Sequence, residues 1–152
     1  VVVGFTISVH IAGMYAFSPI FGILADKIGK IQTVVLGQLI YVAALSFAGF
    51  GMHDHNSVLL GLFLLGLGWS AATVSASSLL SASLPAEQKT NVQGLSDSLM
   101  NLSGAFGGAI SGSIMAALMF VGLNLAALIP VAIILGLSGI ALLRKQQGDS
   151  TK

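Results

Sequence analysis

Few residues of this chain could do chemistry, and most of them lie inside apolar runs. Asp97 is the most costly: a carboxylate among Leu, Gly and Ala, with Asn101 one helical turn further on. A carboxylate at the centre of a bilayer costs about 2.5–3.5 kcal/mol on insertion scales, so it faces protein or water. Two readings compete. Asp97 either satisfies backbone or a lysine near a membrane surface, or it faces a solute or proton path. His10 lies inside the first apolar run, with Gly13, Met14 and Phe17 on its face at helical spacing. Its imidazole suits a proton relay or a ligand contact, or equally a structural bond to a neighbouring helix. Trp69, Ser70, Thr73, Ser77 and Ser81 follow one another along a third apolar run. Their hydroxyls either meet a solute or bond backbone and neighbouring helices.

The remaining polar groups carry no catalytic pattern. His53-Asp54-His55-Asn56 reads as a solvated loop rather than a metal site, because adjacent residues in a tight turn do not converge on one ion. There is no cysteine, so disulfides and thiolate metal sites are excluded. His10 has no second histidine at similar depth, which argues against haem. No nucleophile–base pair, phosphate-binding loop or zinc motif is present. The chain therefore does not read as an enzyme, and no cofactor or metal is expected.

The elements that must position these residues are membrane helices. Of 152 residues, 55% are hydrophobic and only 7% charged, with a net charge of +1. Such a balance points to the bilayer as solvent and gives no reason to expect a nucleic-acid partner. Strand spans are excluded, since the apolar runs lack alternation and are too long. The expected fold is all-α, a polytopic bundle of five membrane-spanning helices over residues 1–143, followed by a cytoplasmic tail over 144–152. The spans run from about Val1 to Leu24, Ile31 to Gly51, Val58 to Ser81, Val92 to Phe120 and Leu125 to Leu143. Gly122-Leu123-Asn124 supplies the break between the last two. Pro19 and Pro130 predict local bends, and Pro85 ends the third helix. Gly104, Gly108 and Gly112 repeat at the small-xxx-small spacing that allows close helix contact. Gly66 and Gly68 predict another close crossing.

The basic residues set the expected orientation. Lys27 and Lys30 fall in the first loop, Lys89 in the third, and Arg144, Lys145 and Lys152 after the last span. With five spans all of them share one side, which the positive-inside rule makes cytoplasmic. The chain opens on Val-Val-Val without an initiator methionine or a signal-peptide pattern. It reads as the interior of a helix cut from a longer protein.

The first loop carries a further signal. Gly22-Ile23-Leu24-Ala25-Asp26-Lys27-Ile28-Gly29-Lys30 is a tight charged turn between two apolar runs. It resembles the signature loop of the major facilitator superfamily, G-x-L-A-D-[RK]-x-G-[RK]-[RK], with Ile31 in place of the last basic residue. The segment from His10 to Pro19 is similar to H-x-x-G-M-F-x-x-S of a bacterial branch, although Ser18-Pro19 has the order inverted. Gln93-Gly94-Leu95-Ser96-Asp97 resembles Q-G-x-N-D at the start of the penultimate helix, with Ser96 replacing Asn.

The resemblance implies a twelve-helix fold in two halves, of which this chain would be helices eight to twelve of the C-terminal half. The N-terminal half would be its missing partner. It also implies a conformational latch at Gly22, Asp26, Lys27, Gly29 and Lys30, in which Asp26 caps a helix of the opposite half and Lys27 and Lys30 pair with acids near helix ends. A carboxylate does stabilise a helix N-terminus.

The expected function is secondary active transport of a small solute by alternating access. The proposed solute or proton pathway is His10, Met14, Trp69, Thr73, Ser77, Asp97 and Asn101. Proton coupling through Asp97 or His10 and uniport both stay open. The rivals are a complete small membrane protein forming an oligomeric pore, and a non-transporting scaffold.

Overall fold

The computed structural model of the chain describes residues 2–51 and 54–150. His53 and Lys152 lie outside the described residues. Helices α1 (Val2–Tyr15), α2 (Ser18–Ile28), α3 (Lys30–Phe50), α4 (His55–Ala82) and α5 (Ala86–Ser150) follow in order. The break between α1 and α2 has a local cause. Pro19 sits in the first turn of α2, where its missing N–H is no loss; further inside a helix it would clash with the carbonyl four residues back. The chain turns through Ala16 and Phe17, as the bend expected at Pro19 requires. The Ser18 hydroxyl then donates to the Met14 carbonyl, at 2.9 Å.

The interior is inverted relative to a water-soluble fold. Apart from Phe21 and Val131, the buried side chains are small or polar, including Ala25, Ala44, Ala71, Thr33, Gln38, Ser70 and Ser75, while Phe5, Ile20, Leu102, Phe106 and Leu143 are exposed. In hydrocarbon, apolar side chains gain nothing by leaving the surface, and helices associate through close backbone approach and hydrogen bonds. Helix α4 is central and packs against all the others, most extensively α3 and then α1. Glycines set these crossings. A Cβ on Gly37 would stand 2.9 Å from the Ala72 nitrogen and the Gly68 oxygen, and one on Gly13 would stand 2.8 Å from the Phe63 oxygen. A Cβ on Gly66 would run into the His10 carbonyl oxygen, in keeping with the close crossing expected at Gly66 and Gly68.

The expectation of five spans is corrected. Among the described residues, four helical stretches are long and apolar enough to cross a membrane: Val3–Ile28, Lys30–Phe50, His55–Ala82 and Ala86–Arg144. The expected fourth and fifth spans belong to one element, because the turn residues 122–124 are helical. Glycine and asparagine permit a turn without enforcing one, and the amide of Asn124 donates back to the Phe120 carbonyl at 3.1 Å, within the helix. The one non-helical residue of α5 is Met119, at φ 57° and ψ −169°. Asp97 and Ile134 border the same cleft although 37 residues separate them. A straight helix would hold them roughly 55 Å apart, so α5 doubles back at Met119. Pro130 keeps helical dihedrals within α5, and α5 continues to Ser150 through the stretch expected to be a tail. With four candidate spans, the side on which Arg144 lies no longer follows from counting.

Candidate functional site

The hydroxyl-bearing face of α4 lies between two clefts. One, of about 420 Å³, separates it from α1 and α2 and is bordered by Tyr15, Ser18, Trp69, Thr73, Ser77 and Ser81 among others. The other, of about 550 Å³, lies between α3, α4 and both limbs of α5. Trp69, Thr73 and Ser77 border both clefts, and Asp97 borders the second. Successive turns of α4 place these α4 side chains on one face. The turn between Ala82 and Ala86 brings the first limb of α5, and Asp97 with it, back to them. Trp69 is held edge-on against Tyr15, with ring centroids 5.8 Å apart, an arrangement aromatic pairs favour.

Asp97 accepts from Gln93 Nε2 at 3.1 Å, and its backbone carbonyl accepts from Asn101 Nδ2 at 2.9 Å. No Lys, Arg or His borders this cleft among the described residues. Sequence reasoning missed Gln38 and Tyr41 of α3, which also border it. Gln38 is 2% exposed and its Oε1 has no hydrogen-bond partner. An uncharged amide inside an apolar span was the available signal, since such groups are retained only where they meet protein or water.

Other expected pathway residues lie elsewhere. His10 Nδ1 is 2.7 Å from the Leu62 carbonyl of α4. A carbonyl can only accept, so Nδ1 carries the proton in this bond. Met14 lies at the α1–α4 crossing, where its backbone nitrogen would be 3.0 Å from a Cβ on Gly66. Asn101 is exposed and borders neither cleft. Ser70 is fully buried, 3.0 Å from the Ser18 hydroxyl, and so joins α4 to α2. A Cβ on Gly104, Gly108 or Gly112 would meet nothing within 4 Å.

The charged turn is compact. Gly29 alone separates α2 from α3, at φ 108° and ψ 146°, a backbone conformation that a side chain would strain. Its N–H donates to the Ala25 carbonyl at 3.1 Å, closing α2. Its own carbonyl accepts from the Thr33 N–H at 3.1 Å and the Thr33 hydroxyl at 3.0 Å, opening α3. Asp26 and Lys27 are exposed. Lys30 reaches across to donate to the Ser78 carbonyl in the last turns of α4, at 3.1 Å, where the negative end of the helix dipole favours a cation. Gly22 lies against α4, with Val74 Cγ1 at 3.9 Å from a Cβ placed there.

Residues 1–152 match the model of the Major Facilitator Superfamily over the whole chain, and the chain belongs to that family. It is a multi-pass membrane protein of a family of transporters rather than enzymes. It is similar to the uncharacterized MFS-type transporter YddS of Bacillus subtilis (strain 168), at 38% identity over 115 residues, covering 75% of this chain and 26% of the relative. The uncharacterized MFS-type transporter YdeG of the same organism is 35% identical over 124 residues, covering 81% of this chain and 29% of the relative. The chain thus spans little more than a quarter of the length of the curated relatives it matches. No solved structure matches it.

Proposed function

We propose that this chain forms part of one half of a secondary active transporter that moves a small solute by alternating access between two halves. The observation that carries the reading is the cleft where Trp69, Thr73 and Ser77 of α4 meet Asp97 of α5. Sites of this family class lie between halves, and one half offers one wall. The assignment to helices eight to twelve counted five crossings and is not retained; the reading needs only that the partner half completes the cleft. The membrane is the bacterial inner or plasma membrane, with Lys27, Lys30 and Lys89 on the cytoplasmic side.

Within this reading Asp97 is the coupling group and His10 is a strut, since its Nδ1–H is already engaged by the Leu62 carbonyl. Asp26 and Lys27, exposed at the turn, are the latch residues that face the partner half. Gly104, Gly108 and Gly112 meet that half or another copy. The test uses the full-length protein in proteoliposomes under an imposed pH gradient. Asp97→Asn abolishes pH-driven accumulation, while His10→Gln, which keeps a donor, leaves both accumulation and exchange. Asp26→Asn lowers transport with expression near normal. Full pH-dependent accumulation by Asp97→Asn removes it from the proton path. Saturable uptake by the 152-residue chain alone overturns the half-transporter reading in favour of an oligomeric pore.

A further inference from the structure

We infer that the cleft between α3, α4 and α5 selects a solute carrying an ammonium group on an aromatic or aliphatic body, and rejects anions; this rests on the transport reading above. Charge decides the sign. Asp97 is the one acidic side chain bordering the cleft, and no cationic side chain borders it among the described residues. An anion entering would meet a carboxylate with no compensating cation, and like charges set against each other disfavour binding.

The uncharged groups point the same way. Gln38 Oε1 and Gln93 Oε1 are buried without a hydrogen-bond donor, and both side chains border the cleft. Buried acceptors without partners are rare because each forfeits its hydration. Donors missing from the protein are what an ammonium supplies, since it carries only donors. Asp97 spends one oxygen on the Gln93 amide and keeps the other for the solute. Trp69, part-exposed and bordering the same cleft, supplies an indole, the aromatic ring that attracts cations best. The remaining wall, with Val34, Leu80 and Ile134, is apolar and takes the body of the solute.

The test compares three probes of similar size and different charge: benzylammonium, benzyl alcohol and benzoate. Binding of tritiated benzylammonium to the purified full-length protein is measured at equilibrium, with the other two as competitors. Benzylammonium is expected to bind saturably and at least about tenfold more tightly than benzoate, a difference of about 1.4 kcal/mol. Asp97→Asn removes that preference, and Asp97→Glu, which retains the charge, restores it. Equal competition by benzoate, unchanged benzylammonium affinity in Asp97→Asn, or no saturable binding of any probe overturns the inference. Binding and uptake of benzoate alone overturns the solute class and leaves transport standing. Charge-selective binding of benzylammonium with no uptake into proteoliposomes supports the class and counts against transport.

Discussion

Asp54 caps α4 by accepting from both the N–H of Ser57, at 2.9 Å, and its hydroxyl, at 2.7 Å. These bonds to the charged form hold its carboxyl below the usual carboxylate range; the hydroxyl bond is the largest cause. The folded pKa lies below the unfolded one, so the cap's contribution is complete at neutral pH. It is lost only as pH falls through that lowered value. Asp54→Ala leaves the first-turn N–H groups without this acceptor. Hydrogen exchange at Ser57 and Val58 then speeds up at neutral pH, and Asp54→Asn falls between the two. Equal exchange in all three proteins would show that the cap does no work. Asp54 starts a helix, and the hydroxyl partner three residues on is the readable sign of it.

The helices themselves are ordered by where backbones touch. Gly66 and Gly37 lie where a side chain would meet backbone of α1 and α4 respectively. Backbone atoms cannot swing aside, so Gly66→Ala or Gly37→Ala forces the helices apart, at about 1–3 kcal/mol for overpacking of this kind. Gly104→Ala meets open space. In the isolated chain it is expected to be neutral or slightly stabilising through helix propensity. Thermal denaturation in detergent ranks them: a marked loss for Gly66→Ala and Gly37→Ala, none for Gly104→Ala. If Gly104→Ala were the worst of the set, the small-residue ladder would be a packing face within this chain.

This ranking also shows what could be read from the residues. The apolar runs, Pro19 and the Gly29 turn fix α1 to α4 closely, because each boundary rests on a local steric or hydration rule. The small-xxx-small pattern names a face able to pack, but not which neighbour fills it. The pattern at Gly104–Gly112 therefore gave no contact, while isolated Gly13 and Gly37 gave tight ones. The division of α5 failed for a related reason. Gly122 and Asn124 are turn-compatible, yet the backbone departs from helix at Met119, a residue type with no turn preference. In the cleft, Trp69, Thr73, Ser77 and Asp97 were legible as polar groups in lipid, whereas Gln38 was passed over as one amide in an otherwise apolar span.

At the scale of the molecule, sidedness is the property most open to test. Asn56, in the first turn of α4, and Lys89, in the first turn of α5, are separated by the length of α4, one apolar helix of 28 residues. That length, roughly 42 Å at about 1.5 Å per residue, exceeds the hydrocarbon thickness. Single cysteines at Asn56 and Lys89 in the full-length protein are expected to label from opposite sides, Lys89 only from inside. A cysteine at Lys27 should behave as Lys89 does. Labelling of Asn56 and Lys89 from the same face would mean that α4 does not cross.

The single residue between α2 and α3 has a mechanical consequence. A joint of one glycine, bonded into both helices through its N–H and its carbonyl, contains no slack. A tilt of α2 is passed to α3 undamped, and Lys30 carries it on to the end of α4 through Ser78. The turn works as a crank between rigid rods rather than as a flexible linker. Two extra glycines after Gly29 would preserve Asp26, Lys27 and Lys30 while uncoupling the rods.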